Sequence, residues 1–308
     1  MAGTIYKKPI IFAIVVTLVV LVGTVVMMLL PMLSGSMHPK LSTLKPYTAL
    51  QLAGRDVYQE NGCFYCHTQT VRPLKSEVMR YGEYSKAGEF AYDQPFLWGS
   101  KRIGPDLARE GDKYSDQWHY EHFKDPRKLF TTSNMPAFGW LADYPLDPEG
   151  IRARMQTLGF PYSEEQIKAL SNKTKLDALV AYVQTLGTAV PKKTNAAMLA
   201  LGEKNPVAGD TNAIAEGKKL YETNCAVCHG MDAKGGIGPD LTGSEWLYVQ
   251  GPVGDDTLFS IIAGGTRKDQ EFEGRKAKGG MPPWGEFFGN DKKKIWSLVS
   301  YIRSLEKK

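Results

Sequence analysis

The sequence predicts an all-α protein, with one N-terminal transmembrane helix followed by two small helical domains built on a single plan. Three observations carry this reading. No charged residue occurs from Ile10 to Leu33. Two Cys-x-x-Cys-His pentapeptides, Cys63-Phe-Tyr-Cys66-His67 and Cys225-Ala-Val-Cys228-His229, use all 4 cysteines of the chain. Around each pentapeptide the same signals recur in the same order: an amphipathic stretch before it, then a Gly-Pro loop, a Met-Pro pair and an apolar helix.

The apolar run comes first. At ~1.5 Å of rise per residue it matches the ~30 Å hydrocarbon core of a bilayer, and neither Gly23 nor Pro31 forbids a spanning helix. Lys7 and Lys8 precede it, so the positive-inside rule places the N-terminus in the cytoplasm and everything after Leu33 on the periplasmic side of a bacterial inner membrane. Ser34, Gly35 and Ser36 would suit a signal-peptide cut, but the run exceeds the ~7–15 residues of a signal h-region. Residues 1–37 are therefore expected to form an uncleaved anchor in lipid. No ionisable residue lies inside the span, so it offers no proton path of its own.

The two pentapeptides carry the chemistry. Thiols three positions apart can each add to one haem vinyl group, which leaves the adjacent imidazole beneath the ring as an axial iron ligand. Two covalently bound haem c groups follow, held by Cys63 and Cys66 and by Cys225 and Cys228, with His67 and His229 on the irons. A zinc site would need a downstream His pair at finger spacing, and His119 and His122 lie far outside it. A thioredoxin-like pair would need a βαβ setting, and a disulfide would not explain the two histidines.

The repeat extends beyond these motifs. Gly54-Arg-Asp-Val-Tyr58 precedes the first and Gly217-Lys-Lys-Leu-Tyr221 the second; Gly104-Pro-Asp-Leu107 and Gly238-Pro-Asp-Leu241 follow them. Met135-Pro136 and Met281-Pro282 come next, and Leu179-Val-Ala-Tyr-Val-Gln-Thr-Leu186 and Leu298-Val-Ser-Tyr-Ile-Arg-Ser-Leu305 close the halves. This order resembles the class I cytochrome c fold, in which the first and last helices cross and pack. The expected boundaries are an anchor at 1–37, a first haem domain at 38–190, a linker at 191–209 and a second haem domain at 210–308. The linker carries Pro191, Gly202, Pro206 and Gly209, and only Ala197 to Leu201 offers an apolar patch for packing.

The resemblance implies that Pro105 and Pro239 offer carbonyls to the proximal imidazoles, although a plain loop-forming role suits both prolines. The distal ligands are expected to be Met135 and Met281, each in a Met-Pro loop. Met231 lies too near His229 to reach round the ring, and Met155 reads as packing. Met79, His119 and His122 are further candidates in the first half, His119 and His122 because they share a helical face. A His/Met pair raises the potential and fills both iron faces, which favours electron transfer over catalysis.

Formal net charge is +5, spread as +2 over 1–37, +1 over 38–190, +2 over 191–209 and 0 over 210–308. Neither haem domain is strongly basic, which excludes a nucleic-acid footprint.

Between His67 and Gly104 stands a long insertion: Thr70-Val-Arg-Pro73, Glu77-Val-Met-Arg-Tyr-Gly-Glu-Tyr-Ser85 and Tyr92-Asp-Gln-Pro-Phe-Leu-Trp-Gly-Ser-Lys-Arg102. With Gly104-Pro-Asp-Leu-Ala108, Lys113-Tyr-Ser-Asp116 and Ser133-Asn-Met-Pro136, residues 5–190 closely resemble the membrane-anchored monohaem subunit, CcoO or FixO, of cbb3-type cytochrome c oxidases. After Lys193 the chain departs from that pattern and adds a domain similar to the haem domains of the dihaem subunit, CcoP or FixP. The resemblance implies a non-catalytic electron-transfer subunit docked on a catalytic haem–copper subunit and other oxidase subunits, fed by a soluble or membrane cytochrome c donor. The aromatic insertion from Thr68 to Ser100 suits a docking surface, or a cover for the haem edge. A nitric oxide reductase cytochrome subunit, a dihaem peroxidase and a free membrane-tethered carrier are the competing functions.

Overall fold

The apolar N-terminal segment forms one continuous helix, α1 (Pro9–Leu33), long and apolar enough to cross a membrane, with a mean hydropathy of 3.1 over an 18-residue stretch that the rest of the chain leaves unburied. In this computed structural model the described residues are 7–37, 39–93, 95–190, 200, 202–243, 253–266, 271–272, 275–276 and 280–306. Pro9 sits in the first turn, where its missing N–H costs nothing. Near the far end, Val25–Leu29 widens into a π turn and the Leu30 N–H donates to the Val25 carbonyl. Pro31 is the local cause. It has no N–H to donate, and in a regular helix its ring would press on the carbonyl four residues back, which the wider turn relieves.

The chain divides into two compact units: residues 1–44 with 86–96, and residues 45–85 with 97–308. In the first, part of the insertion folds onto the stretch after α1. The Leu41 N–H donates to the Gly88 carbonyl at 3.2 Å, and Lys40 bonds the Tyr92 hydroxyl while its ammonium lies 4.5 Å from that ring's centre. The insertion, read from sequence as one segment from Thr68 to Ser100, is thus shared between the two units.

The second unit contains two helical halves. The N-terminal half holds α2 (Ala49–Glu60), α3 (Lys75–Tyr81), α4 (Asp116–Lys124), α5 (Pro148–Leu158), α6 (Glu164–Ala169) and α7 (Lys175–Val183). The C-terminal half holds α8 (Thr211–Asn224), α9 (Asp255–Gly264) and α10 (Lys292–Leu305). A two-residue ladder pairs β1 (Glu271–Phe272) antiparallel with β2 (Arg275–Lys276), a feature the sequence did not signal.

Each half is built on one helix crossing. Thr48 and Gln51 form a reciprocal cap that starts α2, and Thr174 and Asp177 do the same for α7. α2 and α7 then pack together, as α8 and α10 do. A methyl group added to Gly54 would stand 1.8 Å from the Ala178 carbonyl oxygen; on Gly217 it would stand 2.0 Å from that of Ser297. Only glycine lets the backbones approach so closely. One turn on, Tyr58 meets Tyr182 with ring centres 5.4 Å apart, and Tyr221 meets Tyr301 at 5.3 Å. The repeated Gly-x-x-x-Tyr is therefore the helix-crossing motif in both halves.

The cores are separate. Val57, Tyr58, Phe123, Leu141, Leu179 and Tyr182 form one cluster of the N-terminal half. α5 and α6 add a second against the other face of α2, with Met155 fully buried, in the packing role its sequence context suggested. The C-terminal core joins Tyr221, Phe259, Ile295, Leu298 and Val299. Of the expected linker, residues 191–199 and Leu201 lie outside the described residues. Ala200 is buried in the C-terminal core, Val207 packs against it, and the Ser300 hydroxyl donates to the Val207 carbonyl at 3.1 Å, so the described part of this segment docks on α10.

Candidate functional site

The two pentapeptides sit just past the ends of α2 and α8, where the crossing helices fix their direction. Their histidines are oriented in the same way. His67 Nδ1 lies 2.8 Å from the Pro105 carbonyl oxygen and His229 Nδ1 lies 2.8 Å from that of Pro239. A carbonyl only accepts, so Nδ1 donates and the lone pair falls on Nε2, the tautomer an axial iron ligand needs. The preceding glycines make room. A methyl on Gly104 would stand 2.2 Å from His67 Cε1 and one on Gly238 2.7 Å from His229 Cε1. The Gly-Pro pair is thus a two-part device, with glycine admitting the ring and proline's carbonyl aiming it. Backbone bonds place both loops, Gly104 N–H to the Cys66 carbonyl at 3.0 Å and Gly238 N–H to the Cys228 carbonyl at 2.7 Å.

The four cysteines form no disulfide. Cys63, Cys225 and Cys228 stand among apolar side chains, where a hydrophobic macrocycle belongs. Among the described residues no group of three or more His, Cys, Asp or Glu is placed to hold a metal ion.

The C-terminal half offers a cleft of about 910 Å³, counted out to open solvent, lined on one side by Cys225, Cys228 and His229. Met281 lines it too, with Leu258, Ile262, Trp284 and Leu298. The Met281 backbone is pinned to Thr266 by paired bonds, Met281 N–H to the Thr266 carbonyl at 3.0 Å and Thr266 N–H back at 2.9 Å. Thiol pair, imidazole and thioether around one apolar cleft fit a covalently attached haem with a His/Met axial pair. In the N-terminal half Met135 packs on the same core cluster as Cys63 and Phe64. Met79 is exposed on α3, away from such a role, and Met231 is exposed as well.

His119 and His122 are not surface residues. His119 is 2% exposed, and burial first of all holds both imidazoles down at about 4. Among the described residues His119 Nε2 and His122 Nδ1 have no hydrogen-bond partner.

Sequence reasoning missed an ionic knot beside His67. Arg102 donates to Thr68 Oγ1 at 2.6 Å, the Thr70 carbonyl at 2.8 Å, Glu77 Oε2 at 2.8 Å and Asp106 Oδ2 at 3.1 Å. Asp106 also accepts from the Thr68 hydroxyl at 2.5 Å and the Thr70 N–H at 2.9 Å. Arg102 bonding above all, with Arg72 behind it, holds Glu77 down at about 2. The knot ties the insertion to the residues after the first pentapeptide. Asp106, repeated as Asp240 in the second Gly-Pro-Asp-Leu, was its one signal; Asp240 instead caps a local turn through Thr242.

Comparison with known proteins agrees with this division. Residues 212–302 match the family described as cytochrome C oxidase, cbb3-type, subunit III. The chain is 32% identical over 94 residues to the cbb3-type cytochrome c oxidase subunit FixP of Sinorhizobium medicae, a match covering 30% of each chain. It is 33% identical over 100 residues to subunit CcoP of Rubrivivax gelatinosus, covering 32% of this chain and 28% of that one. Cytochrome c550 of Pseudomonas aeruginosa is 31% identical over 103 residues, 33% of this chain and 62% of that one. The chain thus spans less than two thirds of each of these relatives. Residues 3–175, more than half of the chain and including the first pentapeptide, the ionic knot and the Met135 loop, match the family described as cytochrome C oxidase, mono-heme subunit/FixO. The chain belongs to this FixO family of cytochrome c oxidase subunits, with a cbb3-type subunit III domain fused after it.

Proposed function

We propose that this chain is a two-haem electron relay of a cbb3-type oxidase, anchored in the bacterial inner membrane by α1 with both haem halves in the periplasm. Electrons enter from a cytochrome c donor at the C-terminal site, pass to the N-terminal site and leave for a catalytic haem–copper subunit, where oxygen is reduced. The observation that carries the reading is the matched pair of imidazoles, each aimed by a proline carbonyl at 2.8 Å beside its own Cys-x-x-Cys. Bound haem supplies reversible one-electron iron chemistry. The chain supplies the rest: thioether attachment at Cys63, Cys66, Cys225 and Cys228, proximal ligation by His67 and His229, and distal ligation by Met135 and Met281. With a thioether on the second face, neither site leaves a position open for substrate, which opposes the peroxidase reading. The FixO match supports oxidase over nitric oxide reductase.

Purification of the full chain from its membrane in mild detergent tests the reading. Two haems per chain by pyridine haemochrome assay and co-purification of a haem–copper subunit are expected, with carbon monoxide leaving the spectra of the isolated reduced chain unchanged. Fewer than two covalent haems, or carbon monoxide binding at either site, would overturn it.

A further inference from the structure

The C-terminal cleft is not closed by its own half. Tyr114, Trp118 and Phe130 of the N-terminal half line it together with Cys225, Val227, Cys228 and Met281. These rings belong to a longer array. Tyr114 lies on Trp118 with centres 3.9 Å apart and planes 13° apart, and Trp118 lies on His122 at 4.6 Å and 13°. Their four-residue spacing puts the three rings on one stripe along α4 and the residues leading into it. Phe130 meets Trp118 and His122 edge-on, at 6.3 Å from each.

The two ends of the stripe point to different sites. At one end Tyr114 lines the C-terminal cleft together with Cys228 and His229. At the other, His122 meets Phe123 with ring centres 5.9 Å apart, and Phe123 belongs to the core cluster against which Cys63 and Met135 pack. The halves also touch beside the stripe. A methyl on Gly280 would stand 2.6 Å from the Asp112 carbonyl oxygen, and Lys113 Nζ lies 5.0 Å from the centre of the Phe287 ring.

We propose that the Tyr114–Trp118–His122 stack is the path for electrons between the two haem sites, and that it seats the C-terminal half on the N-terminal half. This rests on the relay reading above. One electron crosses per event: the C-terminal site is oxidised by one electron, the N-terminal site is reduced by one, and no bond or proton changes hands. The rings serve as the medium through which the electron tunnels and are not themselves oxidised.

The test uses the full chain in detergent with both haems attached, injecting one electron from a photoreduced flavin and following its redistribution optically. Trp118→Ala removes two stacked contacts and is expected to slow interhaem exchange roughly two- to tenfold, with Trp118→Phe recovering most of the rate. Two haems per chain and both midpoint potentials should stay as in the parent, which separates a lost path from a deformed site. An unchanged exchange rate under those conditions would overturn the proposal. Should Trp118→Ala lose haem, Phe287→Ala at the exposed rim takes its place: a slowing of roughly twofold is expected, and no slowing overturns the seating. Fewer than two haems in the parent chain would instead defeat the relay reading.

Discussion

Gly54 and Ala178 are in backbone contact, with no room between them for one methyl group, and Gly217 and Ser297 repeat the relationship in the other half. These contacts set how α2 crosses α7 and how α8 crosses α10. Each pentapeptide follows within a few residues of its first helix, so the crossing also sets where the thiols and imidazole stand.

Gly54→Ala and Gly217→Ala should each destabilise by about 1–3 kcal/mol, because the added carbon meets rigid backbone and not a side chain able to swing away. Urea titration of the detergent-solubilised protein checks this. With separate cores, Gly54→Ala should shift the transition of the N-terminal half and Gly217→Ala that of the C-terminal half.

Arg102→Met should destabilise by about 3–5 kcal/mol, since Glu77 and Asp106 stay buried and lose their cation. The double variant Arg102→Met/Glu77→Gln should recover part of the loss. Denaturation midpoints of the parent, Arg102→Met, Glu77→Gln and the double variant give the coupling directly, and additivity would show that the knot contributes nothing as a unit.

Stability should fall as pH drops through two windows. His119 is held down to about 4 by burial, so between its unfolded value near ~6.5 and about 4 the unfolded chain binds the extra proton and the folded state loses ground. Glu77, held at about 2, contributes stability that is complete above its unfolded value of ~4.3 and lost as pH falls towards 2. Unfolding free energy measured from pH 8 to pH 3 should decline across both, and His119→Phe should shrink the upper window, which His122 shares, and leave the lower one unchanged.

Met135→His and Met281→His should each lower the midpoint potential of one haem only, because a second imidazole favours ferric iron more than a thioether does. Spectroelectrochemical titration assigns the shifts. If Met135→His moves neither potential, the ligand is another residue, with buried His119 and His122 the next to substitute.

Much of this was legible because it is local. The apolar N-terminal helix follows from an uncharged run, the two oriented Cys-x-x-Cys-His sites from five-residue motifs, and the helix crossing from a Gly-x-x-x-Tyr repeat that records backbone contact. The rest depends on residues distant in sequence. Arg102 joins Thr68, Glu77 and Asp106 only after the insertion folds back. His119 looked like an exposed residue of a polar helix, yet Trp118, Phe123 and Tyr114 enclose it. Tyr114 and Trp118 carried no signal of a second cleft, because the residues they face lie more than a hundred positions away.

Val190 and Ala200 are both buried, and nine residues of sequence lie between them. Ten Cα-to-Cα steps at ~3.6 Å each reach at most about 36 Å. A link so short keeps one half before the other at an effective concentration on the order of millimolar, whatever the amount of protein in the membrane. In the proposed relay, delivery of charge within the chain would therefore be insensitive to dilution, and a soluble competitor would have to be present at comparable concentration to intercept it.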